Sequence, residues 1–191
     1  MSRAEFSRGV LLCLDNAEIW MEEADALAKR GSFGHATALL IHGIEALAQA
    51  WICFAVARGS LKFNDSSVKN YFKRHDIKLD FFVANLLMFE TQKEFYLNHF
   101  KKEDMLKLNI LPMLNYYESV KDIINEKRKK YPQELMRKRN RGIYVDFDYK
   151  NRQFLAPQGI SEADYLKLKE ESDILWMFIF TLINNPLVKY R

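Results

Sequence analysis

The run from Ala36 to Ala57 constrains this chain most, because it is apolar on nearly every side over about six helical turns. A segment of that length and character either spans a membrane or forms the most buried helix of a bundle. His42, Glu45 and Gln49 fall near its middle, and an ionised carboxylate there is costly in lipid. A buried central helix is therefore expected, with no membrane association. Glu45 then sits inside protein, where an unpaired carboxylate is expensive, so it has to meet a cation or several donors. Lys78 or one of the later arginines would serve, and His42, three residues before Glu45, is a further donor.

The flanking sequence reads as more helices. Ser2 and Glu5 make a capping-box pattern, and Gly31 after Lys29-Arg30 is a stop. Between them Val10, Leu14, Ala17, Met21, Ala24 and Ala28 recur at three- and four-residue steps, a core-facing stripe. The second helix covers about Gly34 to Arg58 and stops at Gly59. Leu61 to Arg74 is more polar and reads as a connection around Asn64-Asp65-Ser66-Ser67. A third helix is expected from about His75 to Asn98, with Leu79, Phe82, Val83, Leu86, Leu87 and Phe89 inward. A fourth is expected from near Glu103 to about Tyr131, broken or kinked at Pro112 and ended or bent at Pro132. Gly142 to Tyr149 alternates apolar and polar residues and reads as extended or looped, continuing through Pro157 and Gly159. Ser161 and Asp164 cap a last helix with Leu168, Leu175, Phe178, Ile179 and Leu182 on its apolar face, ended by Asn184-Asn185-Pro186. The expected fold is all-α: an antiparallel up-and-down bundle of about five helices with an irregular aromatic loop before the last, forming one domain over residues 1–191.

Glycine and proline number only 7 and 4 in 191 residues, which argues against disorder and against a turn-rich β fold. Cys13 and Cys53 lie within apolar helical runs and read as reduced core thiols. The polar start, Met1 to Glu5, has no signal-peptide hydrophobic region, so a cytoplasmic location is expected. No Cys/His spacing suggests a metal, and no P-loop, GxGxxG, HExxH or GxSxG motif suggests a cofactor or a known hydrolase. The net charge is +4, yet Lys127 to Arg141 holds eight basic residues against Glu134 alone. A run that dense, ending beside aromatics, favours a phosphate-bearing partner.

That run leads into a distinctive string: Arg137-Lys138-Arg139-Asn140-Arg141, then Gly142-Ile143-Tyr144-Val145-Asp146-Phe147. It resembles the abortive-infection V family of bacterial phage-defence proteins, which carry a similar arginine-rich element before a Gly-hydrophobic-Tyr-Val-Asp-Phe string. The proline connection and last helix that follow also match, as do Ala36 to Leu40 with Ile44 to Leu47, and His75-Asp76-Ile77-Lys78. The similarity touches the chain from about residue 10 to 185. That family belongs to the HEPN superfamily, which implies a helical bundle that usually dimerises and, in many members, a metal-independent endoribonuclease. The superfamily signature is an arginine, a polar residue and a histidine four to six residues beyond the arginine. Arg139 and Asn140 match the first two, whereas Tyr144 stands at the histidine's place.

Metal-free RNA cleavage needs a base for the 2′-hydroxyl, an acid for the leaving oxygen and cations for the phosphorane. Histidine can do both proton transfers near neutrality, while tyrosine, with an ordinary pKa of about 10, is a poor base. The catalytic candidates are thus Arg139, Asn140, Tyr144 and His75. His75 reads either as a base or phosphate contact beside Arg139, or as a helix-start histidine held by a backbone or carboxylate partner. Arg137, Lys138, Arg141 and Lys78 are the phosphate-binding candidates. The resemblance implies a defence protein acting on RNA or translation, catalytically or by binding alone. A phage-encoded activator and a homodimer are the partners it suggests. A helical module that recognises a phage or host protein is the alternative.

Overall fold

In a computed structural model the described residues are 2–62, 66–99, 110–144, 146–148 and 150–184. They form six α-helices: α1 (Arg3–Ala28), α2 (Phe33–Ala57), α3 (Ser66–Lys73), α4 (His75–His99), α5 (Ile110–Ile143) and α6 (Glu162–Asn184). Between α5 and α6 lie two short strands, β1 (Asp146–Asp148) and β2 (Gln153–Leu155), and a 3-10 turn at Pro157–Gly159. The all-α bundle expected from periodicity is the observed architecture.

The apolar run is the axis of the molecule. α2 touches each of the other five helices and the 3-10 turn, and Leu40, Ile41, Ile44 and Leu47 have no exposed surface. α2 is long and apolar enough to cross a membrane, but 78% of its most apolar window is buried inside the protein. That is the burial of a core helix. α1 lies against it through the expected stripe of Val10, Leu14, Ala17, Met21 and Ala24. Ser2 and Glu5 make the reciprocal capping box, and Gly31 takes φ 76° just past the end of α1. Cys13 and Cys53 are both free thiols.

Leu79, Phe82, Val83, Leu86 and Leu87 of α4 are buried, as are Leu168, Leu175 and Ile179 of α6, with Phe178 half-buried. α6 opens with the expected cap, Ser161 Oγ accepting from the Asp164 backbone at 3.2 Å and donating to its carboxylate at 2.6 Å. The side chains of Phe89 and Leu182, the start near Glu103 and the Asn185-Pro186 stop lie outside the described residues.

Three expectations need correction. The polar connection after α2 contains a short helix, α3, whose Tyr71 and Phe72 pack against the core. Of the end or bend expected at Pro132, the end is overturned, because α5 runs through it to Ile143. The ring removes one backbone donor, yet the flanking turns are held by tertiary packing: Leu135 is fully buried and α5 lies against both α2 and α4. Gly142 and Ile143 accordingly belong to α5, and the excursion that follows is an antiparallel hairpin pairing Asp146 with Leu155, Phe147 with Phe154 and Asp148 with Gln153.

The end of α5 meets the start of α2 at a junction only glycine permits. A Cβ on Gly142 would stand 2.3 Å from the Gly34 carbonyl oxygen, and one on Gly34 would stand 2.1 Å from the Pro157 carbonyl oxygen. Three backbones therefore converge there, drawing the last turns of α5 onto α2.

Candidate functional site

The arginine-rich segment is helical, so its residues point different ways. Arg139 turns inward toward the middle of α2 and donates from Nη1 to Glu45 Oε1 at 2.8 Å. Its side chain is 12% exposed and that of Glu45 is 5% exposed. The expected pairing of Glu45 with an arginine is thus met by Arg139. Glu45's second oxygen, Oε2, takes His75 Nδ1 at 2.6 Å. The structure shows the second of the two readings of His75: the first residue of α4 is held by a carboxylate, which it shares with Arg139.

Geometry fixes the chemistry of the imidazole. A carboxylate only accepts, so Nδ1 carries the hydrogen shared with Glu45. The His75 side chain remains 46% exposed. The corner that presents it is stapled by Arg74, which donates to both oxygens of Asp76 at 3.1 and 2.5 Å. That guanidinium holds the Asp76 carboxyl below its usual range.

Lys78, one turn along α4, is 5% exposed and faces the same carboxylate. Burial pushes its ammonium pKa down, Glu45 opposes that shift and Arg139 adds to it. His42 approaches from α2 itself, with Nδ1 at 4.0 Å from Glu45 Oε2. One buried carboxylate thus gathers an arginine, a lysine and two histidines from α2, α4 and α5. Among the described residues no group of three or more His, Cys, Asp or Glu is arranged to hold a metal ion.

The other candidates lie elsewhere. Asn140 is exposed and only its Oδ1 reaches back, accepting from Arg139 Nη2 at 3.4 Å. Tyr144 sits just past α5, 65% exposed, its backbone N–H bonded to the Asn140 carbonyl at 2.9 Å. Arg137 is exposed. Arg141 is half-buried with its guanidinium over Gly159 and its Nε buried without a partner. Lys138 ties α5 to α6 through Asp164 at 3.1 Å and also meets Glu134 at 3.3 Å. Further back along the run, Arg128 bridges to Asp80 and Lys130 to Glu126. Four of the eight basic residues of the run, Arg128, Lys130, Lys138 and Arg139, are therefore paired with acidic side chains.

A cavity of about 600 Å³ between α4, α5 and α6 is lined by four lysines and four carboxylates, among them Lys127, Lys138, Glu134 and Asp164. Its charge is balanced, and none of Glu45, His75 and Arg139 lines it. Sequence reasoning missed Trp20 altogether. Its ring packs on His42 with centroids 5.5 Å apart, and it lies on α1 with no motif to mark it.

Compared with known proteins, residues 5–171 match the HEPN_AbiV family model, described as AbiV. No curated protein and no solved structure matches the chain.

Proposed function

This chain belongs to the AbiV family of the HEPN superfamily, the abortive-infection phage-defence proteins, and from that premise we propose that it acts on RNA as a metal-independent endoribonuclease. The observation that carries this reading is the convergence of His75 and Arg139 on the two oxygens of Glu45. The superfamily signature lacks its histidine at Tyr144, and His75 supplies an imidazole beside the signature arginine from another helix.

In this reading Glu45 orients His75, which serves as a proton carrier of the reaction. Arg139 fixes Glu45 and, with Lys78, supplies positive potential for the phosphorane. Arg137, Asn140 and Tyr144 line the exposed end of α5 as contacts for an RNA backbone and base. The protein works in the cytoplasm as a homodimer, with RNA or the translation machinery as its target and a phage-encoded protein as its activator.

The test is made in cells. Bacteria carrying the wild-type protein are expected to lower phage plating and to lose RNA integrity and translation after infection. His75→Gln and Arg139→Ala are expected to lose both effects at unchanged protein level. Full protection by both variants would remove the site from the function.

A binding module is the second reading, favoured by Leu11, Leu12 and Ile19, which leave 52–60% of their surface exposed on the outside of α1. Protection that survives loss of His75 and Arg139 but fails with Leu12→Glu or Ile19→Glu would support it.

A further inference from the structure

His75 accounts for one proton carrier, whereas cleavage of a phosphodiester by an internal hydroxyl moves two protons, one off the nucleophile and one onto the leaving oxygen. The structure holds a second imidazole at the same place. His42 and His75 both point Nδ1 at Glu45 Oε2, at 4.0 and 2.6 Å. Their side chains are 30% and 46% exposed while the carboxylate between them is 5% exposed. The charge is buried and both rings reach the surface. We propose that His42 and His75 form a two-imidazole site that takes one phosphate of a phosphodiester at their solvent-exposed side, with His42 as the second acid–base residue of the reaction.

Three observations make His42 a built feature. It lies three residues before Glu45 on α2, so the helix fixes its distance from the carboxylate. Trp20 of α1 packs on its ring. α1 passes close to α2 beside it: a Cβ on Gly43 would stand 3.0 Å from Met21 Cγ and 3.3 Å from the Ala17 carbonyl oxygen. Every element packed around the ring brings a named group: Glu45 on α2, His75 and Lys78 on α4, and Arg139 on α5. Burial lowers the His42 pKa most; the three cationic neighbours lower it further, and Glu45 alone opposes them. The His42 imidazole is thus shifted toward its neutral form, the form a base requires.

The division of labour follows, and rests on the ribonuclease reading. His42 takes the proton of the ribose 2′-hydroxyl as that oxygen bonds to phosphorus. His75, hydrogen-bonded through Nδ1 to Glu45, gives the proton from Nε2 to the 5′-oxygen as its bond to phosphorus breaks. The products are a 2′,3′-cyclic phosphate and a 5′-hydroxyl. No oxidant or further reactant is needed, and the exchanged protonation of the two rings is restored by solvent.

Inorganic phosphate is the probe that separates this inference from the ribonuclease reading. The imidazole resonances of wild-type protein, His42→Gln and His75→Gln are followed by NMR during phosphate titration. The expected result is that one phosphate moves both rings with a single affinity. Each substitution is expected to weaken that affinity about tenfold, the loss of one charge-assisted hydrogen bond. A response of His75 alone, or of neither ring, overturns the pair. Cleavage is read on the same samples against pH. The wild type is expected to give a bell-shaped profile whose acid limb disappears in His42→Gln, with the rate at least a hundredfold lower. An unchanged profile in His42→Gln overturns the catalytic role. Phosphate moving both rings without any cleavage by the wild type would remove the ribonuclease reading and leave the two-imidazole site standing.

Discussion

His75 Nδ1 stands 2.6 Å from Glu45 Oε2, and Arg139 Nη1 stands 2.8 Å from Oε1 of the same carboxylate. A residue at the first turn of α4 and one near the end of α5 are thus fixed relative to each other through the middle of α2. Removing the carboxylate would release both at once and leave Arg139 and Lys78 buried without their counter-charge.

Glu45→Gln is accordingly expected to cost about 3 kcal/mol or more, the cost of breaking a buried pair on one side. For a domain of this size that corresponds to a fall in Tm of roughly 6–12 °C. Thermal unfolding by circular dichroism measures it. The Glu45→Gln, Arg139→Gln double variant is expected to be more stable than the sum of the single losses predicts, because the two share one interaction.

Gly142→Ala tests the junction that brings Arg139 inward. The added methyl would meet the Gly34 carbonyl oxygen at 2.3 Å, so α5 must shift away from α2. A destabilisation of about 1–3 kcal/mol is expected, together with loss of the His75–Arg139 function and an altered His75 NMR signal. Normal stability and activity in this variant would contradict the close approach.

The cap of α6 gives a pH-dependent prediction. Hydrogen bonds from Ser161 and Lys138 hold the Asp164 carboxyl down at about 2, against an ordinary 3.8. A depressed folded pKa means stability that is present above the unfolded value and lost as pH falls through the window from about 4 to 2. The carboxylate is partly exposed, so solvent screening limits the gain to about 1 kcal/mol. Asp164→Asn should therefore lower Tm by roughly 2–4 °C at neutral pH. The difference should close below pH 2, measured by melting curves across that range.

Tyr144 is 65% exposed beyond the end of α5. Tyr144→Ala is expected to leave stability within about 0.5 kcal/mol of wild type. If the ring stacks on an RNA base, the variant binds single-stranded RNA more weakly by about 1–3 kcal/mol, read by fluorescence anisotropy.

The helices and their inward faces were legible because periodicity and caps are local. Val10 to Ala24 repeat at helical steps, and Ser161 with Asp164 announces a helix start within four residues. That Glu45 needs a cation was also legible, since the cost of a lone buried charge follows from its apolar neighbours. Which cation it meets was not. Arg137, Arg139 and Arg141 look alike in sequence, and only the passage of α5 through Pro132 sets their rotation and turns Arg139 inward. Proline is a strong local signal for a helix end, and here packing of Leu135 and the Gly34–Gly142 contact outweighs it. The basic run read as a single charged patch because Asp80, Glu126 and Asp164, which pair with Arg128, Lys130 and Lys138, come from several places in the chain. His42 and Trp20 carry no motif, and their relation to Glu45 exists only once α1 lies on α2.

The most direct test of the account is an RNA cleavage assay on purified protein in excess EDTA, comparing wild type with His75→Gln and reading the chemistry of the new ends. The expected result is cleavage by the wild type to 2′,3′-cyclic phosphate and 5′-hydroxyl ends, with a loss of at least a hundredfold in the folded His75→Gln variant. Cleavage that persists in His75→Gln, or an absence of cleavage of total RNA, transfer RNA and ribosomes by folded wild-type protein with extract of infected cells supplied, would contradict it.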